Sequence, residues 1–130
     1  TDGWDTHSGQ KGRLTAQLRG LDQLVGALQT GLGPAWSDTL VIVATEFGRT
    51  VEVNGTGGTD HGTANNMIFL GGALREKGLL NPLPDLGDLE DGDLKYQIDF
   101  RQVYATLLQG WLDADAEKVL GRKFDPLRFV

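Results

Sequence analysis

The stretch Thr39-Leu40-Val41-Ile42-Val43-Ala44-Thr45 decides how the chain is expected to fold. It is rich in β-branched residues and does not alternate with polar ones, which is typical of a strand buried on both faces. A second apolar segment, residues 67–70, is short enough for another strand, and Gly71-Gly72 closes it. Because strands buried on both faces occur in parallel sheets covered by helices, we expect an α/β fold.

Three helices are predicted around these strands. Apolar residues recur with three-and-four spacing over residues 11–32 and again over residues 100–112, which indicates helices with one buried face. Asp99 and Gln102 are spaced as a capping box at the start of the second of these helices. A shorter helix is expected over residues 116–120, where a glycine follows.

Composition limits the classes of function. The chain has 130 residues and a formal net charge of -6, and nucleic acid or an anionic membrane would require a basic face instead. There are no cysteines, so a disulfide framework and a thiolate zinc site are both excluded. No apolar run approaches the length of a membrane span. Small molecules, metals or proteins remain as partners, and a metal would need carboxylate, imidazole or backbone ligands.

The small number of predicted strands suggests that the chain is part of a larger domain. Two strands make a poor sheet because both of their outer edges stay unpaired. The chain also begins without a methionine and reaches a dense polar motif within a few residues. We therefore expect residues 1–130 to be the C-terminal portion of a domain whose N-terminal half is absent, with exposed edges that allow self-association.

The predicted strand at residues 39–45 is followed by two charged residues. Open α/β sheets bind ligands beyond the carboxyl ends of their strands, which is where Glu46 and Arg49 would lie. A carboxylate and a guanidinium at that place suit a metal ion or an anionic substrate. The alternative is a solvated ion pair at the entrance of a loop.

Both histidines of the chain have carboxylate neighbours. Asp5 and His7 are one residue apart, so they can ligate one ion together, although Asp5 or Thr6 could instead cap the helix that follows. His61 lies in a glycine-flanked loop, where Asp60 could orient its imidazole, or where water alone could satisfy it. The joint occurrence favours a divalent-metal site with imidazole and carboxylate ligands, which suits zinc, iron or manganese.

Several other chemistries are excluded by the sequence. Neither serine lies in a Gly-x-Ser-x-Gly motif, so there is no nucleophile elbow. The glycine-rich loop at residues 55–60 lacks both the Lys-Ser/Thr pair of a phosphate loop and the third glycine of a dinucleotide fingerprint. Asn54-Gly55-Thr56 fits a glycosylation acceptor, a pattern too common to carry weight.

The order of these motifs resembles a known family. Gly3-Trp4-Asp5-Thr6-His7, the run from Thr39 to Arg49, and Thr59-Asp60-His61-Gly62 together resemble domain of unknown function 1501, a bacterial family. That family looks like a branch of the alkaline phosphatase and sulfatase superfamily. The resemblance implies the C-terminal part of a doubly wound, mostly parallel sheet with flanking helices, and two metal ions at the carboxyl ends of its strands.

The resemblance also implies roles for individual residues. Asp5, His7, Glu46 and His61 match the order of the metal ligands, and Arg49 would bind substrate oxygens. Zinc is the first expectation, with manganese, iron and calcium as alternatives. Two features depart from the superfamily pattern and put a second ion in doubt: the Asp-x-His spacing is narrow, and Phe47 stands where a histidine is expected.

The expected function follows from that resemblance. The intact protein would be a metal-dependent hydrolase whose substrate is a small anionic ester of phosphate or sulfate, with its nucleophile on a preceding segment. This chain alone would then be inactive. The alternative is a non-catalytic binding or assembly protein that retains a degenerate metal site. Relatives of this kind are often exported, so an envelope or periplasmic location is expected.

Overall fold

The structure, a computed structural model, describes residues 3–130 and contains short strands between longer helices. The helices are α1 (Gln10–Leu32), a 3-10 helix (Gly33–Asp38), α2 (Phe100–Gly110) and α3 (Ala116–Leu120). The strands are β1 (Val41–Val43), β2 (Gly48–Arg49), β3 (His61–Gly62), β4 (Ile68–Leu70), β5 (Leu89–Glu90) and β6 (Asp93–Leu94). All three predicted helices and both predicted strands are present, and each strand is shorter than its apolar run.

The strands form antiparallel pairs, so the predicted doubly wound, mostly parallel sheet is wrong. β1 pairs with β4, with Val41 opposite Leu70 and Val43 opposite Ile68. β2 pairs with β3, and β5 with β6, in two further two-stranded sheets. A parallel pair needs a crossover, usually a helix, whereas the segment between β1 and β4 contains turns and the β2–β3 ribbon and returns the chain in the opposite direction. The fold is therefore small and mixed.

Burial also differs from the expectation for β1. Ile42, at the centre of the strand, remains 38% exposed, so the strand is not covered on both faces within the described residues. Its apolar run indicated a strand correctly, but a run of β-branched residues does not reveal which partner strand lies beside it. Pairing is set by distant parts of the chain, which local patterns do not encode.

The buried apolar residues lie in the C-terminal third. Val103 and Ala105 of α2, Ala116 of α3 and Phe129 near the C-terminus are each at most 6% exposed. The Phe129 ring lies 4.6 Å from that of Phe69 on β4, measured between centroids. The tail therefore packs against the β1–β4 sheet, and the backbone N–H of Leu127 donates to the hydroxyl of Thr106 on α2.

Helix α1 is attached differently. None of its 23 residues is fully buried against the described part of the chain. Its N-cap is Gly9, with a left-handed φ of 53°, and neither Asp5 nor Thr6 fills that position. The backbone N–H groups of Gly9 and Gln10 donate to the carbonyls of Thr56 and Gly57, at 3.2 and 2.9 Å. A distant loop thus caps α1, and this contact fixes the segment that precedes the helix. No helix in residues 3–130 has the length and apolar character needed to cross a membrane.

Candidate metal centre

Two loops that are far apart in sequence form the site. Residues 5–9 run beside residues 56–60, with an antiparallel bridge between Ser8 and Gly57. The N–H of Thr59 donates to the carbonyl of Thr6 at 3.2 Å. Gly58 allows this approach, because a Cβ there would lie 2.2 Å from the carbonyl carbon of His7. Backbone contact therefore brings the two histidine-bearing segments together.

The short β2–β3 ribbon completes the site. Gly48 lies opposite Gly62, and Arg49 lies opposite His61. A Cβ on Gly62 would lie 2.6 Å from the carbonyl carbon of Arg49, so a glycine is needed for the strands to approach this closely. The ribbon delivers Arg49 and His61 to the same place as Asp5 and His7.

Three ligand atoms converge there. Nε2 of His7 lies 3.0 Å from Oδ1 of Asp5, and Nε2 of His61 lies 3.0 Å from the same oxygen. The two Nε2 atoms are 3.1 Å apart. Each of the three side chains is about half exposed. In the part of the chain that the structure describes, these residues make up the one group of three or more potential metal ligands.

The triangle has the dimensions of a ligand set. Nitrogen and oxygen ligands lie about 2.0–2.1 Å from zinc, which places neighbouring ligand atoms roughly 2.9–3.4 Å from one another. The measured separations of 3.0 and 3.1 Å fall within that range. Two imidazoles and one carboxylate also form a donor set that suits zinc, iron and manganese. The residues present therefore fit a divalent ion.

Asp60 determines which nitrogen of His7 faces the triangle. Nδ1 of His7 lies 3.0 Å from Oδ1 of Asp60. The hydrogen bond from His7, followed by one from Asn54, lowers the pKa of Asp60 below its ordinary value, so the carboxylate is ionised and can only accept. The proton of a neutral His7 must then be on Nδ1, which leaves a lone pair on Nε2. The sequence suggested Asp60 as a partner of His61, but the structure pairs it with His7.

The position of that proton creates a conflict inside the triangle. With His7 protonated on Nδ1, the 3.0 Å contact between its Nε2 and Oδ1 of Asp5 brings two acceptors together without a hydrogen. A metal ion at this point removes the repulsion. A protein with this arrangement is therefore prepared to accept positive charge at this point.

Arg49 already supplies positive charge at the edge of the triangle. Its Nη1 donates to Oδ1 of Asp5, while Nε and Nη2 donate to the hydroxyl and the carbonyl of Thr59. Burial opposes ionisation of Asp5, but the hydrogen bonds from Arg49 and His61 outweigh it and lower its pKa. Asp5 is thus held as a carboxylate, the form that ligates a metal.

Phe47 contacts a ligand of the site, whereas its neighbour Glu46 lies outside the ligand group. The ring of Phe47 stacks on that of His61, with centroids 3.8 Å apart and planes inclined by 23°. Glu46 is exposed and is not a member of the ligand group found among residues 3–130. The structure therefore brings together three of the four ligands suggested by the sequence, and it gives Phe47 a packing contact with one of them.

Asn54 links the pieces of the site, a role that the sequence did not reveal. Its amide nitrogen donates to the carbonyl of His7 at 3.0 Å and to Oδ1 of Asp60 at 3.2 Å. Its oxygen accepts from the N–H groups of Thr56 and Gly58, at 3.1 and 3.0 Å. An asparagine before glycine indicates a turn, but which distant groups its side chain will reach is not visible in a linear motif.

Comparison with known proteins identifies the family. A family model described as Protein of unknown function (DUF1501) matches residues 1–122. The chain belongs to the DUF1501 family. No curated protein and no solved structure matches it. The family expected from the sequence is confirmed, and the DUF1501 match includes Asp5, His7, His61, Asn54 and Asp60.

Proposed function

We propose that this DUF1501 chain carries a single divalent-metal site, with Asp5, His7 and His61 as ligands, that serves a metal-dependent hydrolase. The observation that carries the proposal is the convergence of their three ligand atoms at 3.0–3.1 Å. Structural zinc sites are closed by four protein ligands, whereas catalytic sites keep a position open for water or substrate. Three half-exposed ligands favour the catalytic type, with zinc as the first candidate and manganese, iron and calcium as alternatives.

The substrate class is proposed from charge and from motif order. Arg49 places a fixed positive charge beside the ligands, which favours a small anionic ester of phosphate or sulfate. The order of the acidic and histidine motifs, which resembles that of the alkaline phosphatase and sulfatase superfamily, supports the same class. A bound ion would act as a Lewis acid on the ester oxygen and lower the pKa of an attacking hydroxyl.

Within this site each residue of the chain has a separate task. Asp5 remains ionised because Arg49 donates to it. His7 presents Nε2 because Asp60 holds its proton on the other nitrogen. Phe47 limits rotation of the His61 ring by stacking on it. Binding and orientation of the ion are thus divided among three ligands and the neighbours that hold them in place.

Metal titration tests the site. Calorimetry with zinc and manganese should give binding of one ion per chain, and His7→Ala and His61→Ala should each abolish it. Asp22→Asn is the matched control, because this exposed carboxylate lies on α1 and outside the ligand group. Glu46→Gln should also bind as the parent does. Unchanged binding in both histidine variants would refute the site.

A second candidate function is metal binding without hydrolysis. Phe47 at the position expected for a histidine, and Glu46 outside the cluster, favour a binding or assembly protein with a reduced metal site. The two functions differ in one assay. The intact protein, loaded with metal, should hydrolyse at least one ester in a panel of phosphate and sulfate esters, and chelation should abolish the activity. Metal binding without metal-dependent hydrolysis would favour the second function.

A further inference from the structure

Asn54 occupies a central place beside the ligands without being one of them. Its amide nitrogen is the donor in two contacts, one to the backbone carbonyl of His7 and one to Oδ1 of Asp60. Its oxygen holds the turn formed by residues 54–58. One side chain thus connects the segment that carries His7 with the carboxylate that bonds the His7 ring.

We infer that Asn54 is a positioning residue: by holding Asp60 against Nδ1 of His7, it keeps the His7 proton on Nδ1 and leaves Nε2 free for a metal ion. The inference depends on the proposed function in one respect, namely that the free Nε2 binds a metal ion. The choice of tautomer is a property of the metal-free protein. It follows from the 3.0 Å contact between His7 and Asp60 and from the contacts of Asn54 to both.

Exposure explains why Asp60 needs a second partner. Its side chain is 63% exposed, so water competes for the carboxylate and the hydrogen bond to His7 alone would order it weakly. Asn54 is less exposed and is fixed by the turn, so its N–H limits where Oδ1 of Asp60 can lie. Outer residues of this kind commonly change metal affinity by about 10- to 100-fold when they are replaced.

Thr56 offers a contrast within the same turn. Its hydroxyl lies 2.6 Å from the carbonyl of His7 and 2.9 Å from Oδ1 of Asn54, as a donor shared between them. It therefore supports the backbone of His7 without a contact to Asp60. If backbone support were sufficient, loss of the Thr56 hydroxyl and loss of the Asn54 amide would have similar effects on the imidazole.

The decisive variant is Asn54→Asp. The new carboxylate still accepts from the N–H groups of Thr56 and Gly58, so the turn keeps its hydrogen bonds. It can donate neither to Asp60 nor to the carbonyl of His7, a backbone contact that Thr56 also makes, and it repels the Asp60 carboxylate from a distance of about a hydrogen bond. The added negative charge alone would strengthen cation binding. A weaker affinity for zinc would therefore have the opposite sign from the charge effect and would isolate the loss of positioning.

Two measurements test the inference on the full chain. Nitrogen-15 NMR of the imidazoles, at a pH about two units above the ordinary histidine pKa of about 6.5, reports which nitrogen of His7 carries the proton in the metal-free protein. Calorimetry with zinc alone reports affinity. The parent and Thr56→Val should hold the proton on Nδ1. Asn54→Asp should give a mixture of tautomers and a roughly 10- to 100-fold weaker zinc affinity.

The outcomes separate the inference from the proposed function. If Asn54→Asp keeps the parent's tautomer, the inference is overturned, whether or not zinc binds. If the tautomer shifts as expected but neither protein binds zinc, the positioning by Asn54 stands and the metal site is wrong. A tautomer shift of the same size in Thr56→Val would overturn the specific role of Asn54, because backbone support would then explain the effect.

Discussion

The two loops of the candidate metal centre, residues 5–9 and 56–60, and the C-terminal core are held together by different forces. In the core, Val103, Ala105, Ala116 and Phe129 are removed from solvent, and apolar burial supplies the stabilisation. At the loops the ligands are half exposed, and hydrogen bonds from polar side chains, together with close backbone contact at Gly58, set the geometry. One region depends on the area removed from water and the other on a small number of directed contacts.

This difference predicts that stability and metal binding can be separated by mutation. Core side chains pack against one another, so truncation of one of them should lower the free energy of unfolding of the whole fold. Hydrogen bonds at a half-exposed site contribute little net stability, yet they decide where ligand atoms lie. A lost loop contact should therefore weaken metal binding more than it lowers stability.

The largest expected effect on stability comes from Phe129→Ala. Phe129 is 1% exposed and its ring contacts Phe69, so truncation leaves a cavity and should cost about 3–5 kcal/mol in the free energy of unfolding. Urea denaturation followed by circular dichroism measures this. Phe100→Ala is the control, because Phe100 is 53% exposed, and it should cost much less. Equal losses in the two variants would contradict the assignment of the core.

The next effect, from Gly58→Ala, should fall on the site. The added Cβ would lie 2.2 Å from the carbonyl carbon of His7, so the two loops must separate, at a cost of about 1–3 kcal/mol. Metal binding should be lost while the helical signal of the core remains. In Gly55→Ala the Cβ meets no atom within 4 Å, and binding should persist. Metal affinity retained in Gly58→Ala would show that close contact of the loops is not required.

The same division explains what the sequence could reveal. Helix α2 and its capping box were predicted correctly because Asp99 and Gln102 act on backbone groups within three residues. The pairing of β1 was predicted wrongly because β4, its antiparallel partner, lies more than twenty residues away. Helix capping depends on neighbouring residues and can be predicted from a short motif, whereas strand pairing depends on residues that are far apart in the sequence.

The site lies between these extremes. Asp5, His7 and His61 were chosen from residue type and motif order, and the structure brings them together. Whether they bind a metal stays a prediction. The contacts of Asn54 were not foreseen, because they join residue 54 to residues 7 and 60 through a turn whose shape the sequence does not give. A motif can therefore indicate the ligands without indicating the residues that hold them in place.

A smaller effect concerns the cap of α2. The Arg101 side chain, with its backbone N–H, lowers the pKa of Asp99 from 3.8 to about 2. Because the pKa is lower in the folded state, the stabilisation is fully present above about pH 4 and is lost as the pH falls toward 2. Asp99→Ala should cost about 1 kcal/mol near neutral pH. The difference in unfolding free energy between parent and variant should shrink over that interval, whereas a constant difference would contradict the role of the ionised carboxylate.

The smallest effect, from Phe47→Ala, tests whether packing as well as hydrogen bonding orients a ligand. The ring of Phe47 stacks on His61 at 3.8 Å, and its loss frees rotation of the imidazole. Ordering one side chain on binding costs about 0.5–1 kcal/mol, so zinc affinity should fall roughly two- to fivefold. Phe47→Tyr keeps the ring and should bind zinc as the parent does. If Phe47→Ala also matches the parent, directed hydrogen bonds alone orient the ligands, and the contrast between the loops and the core becomes sharper still.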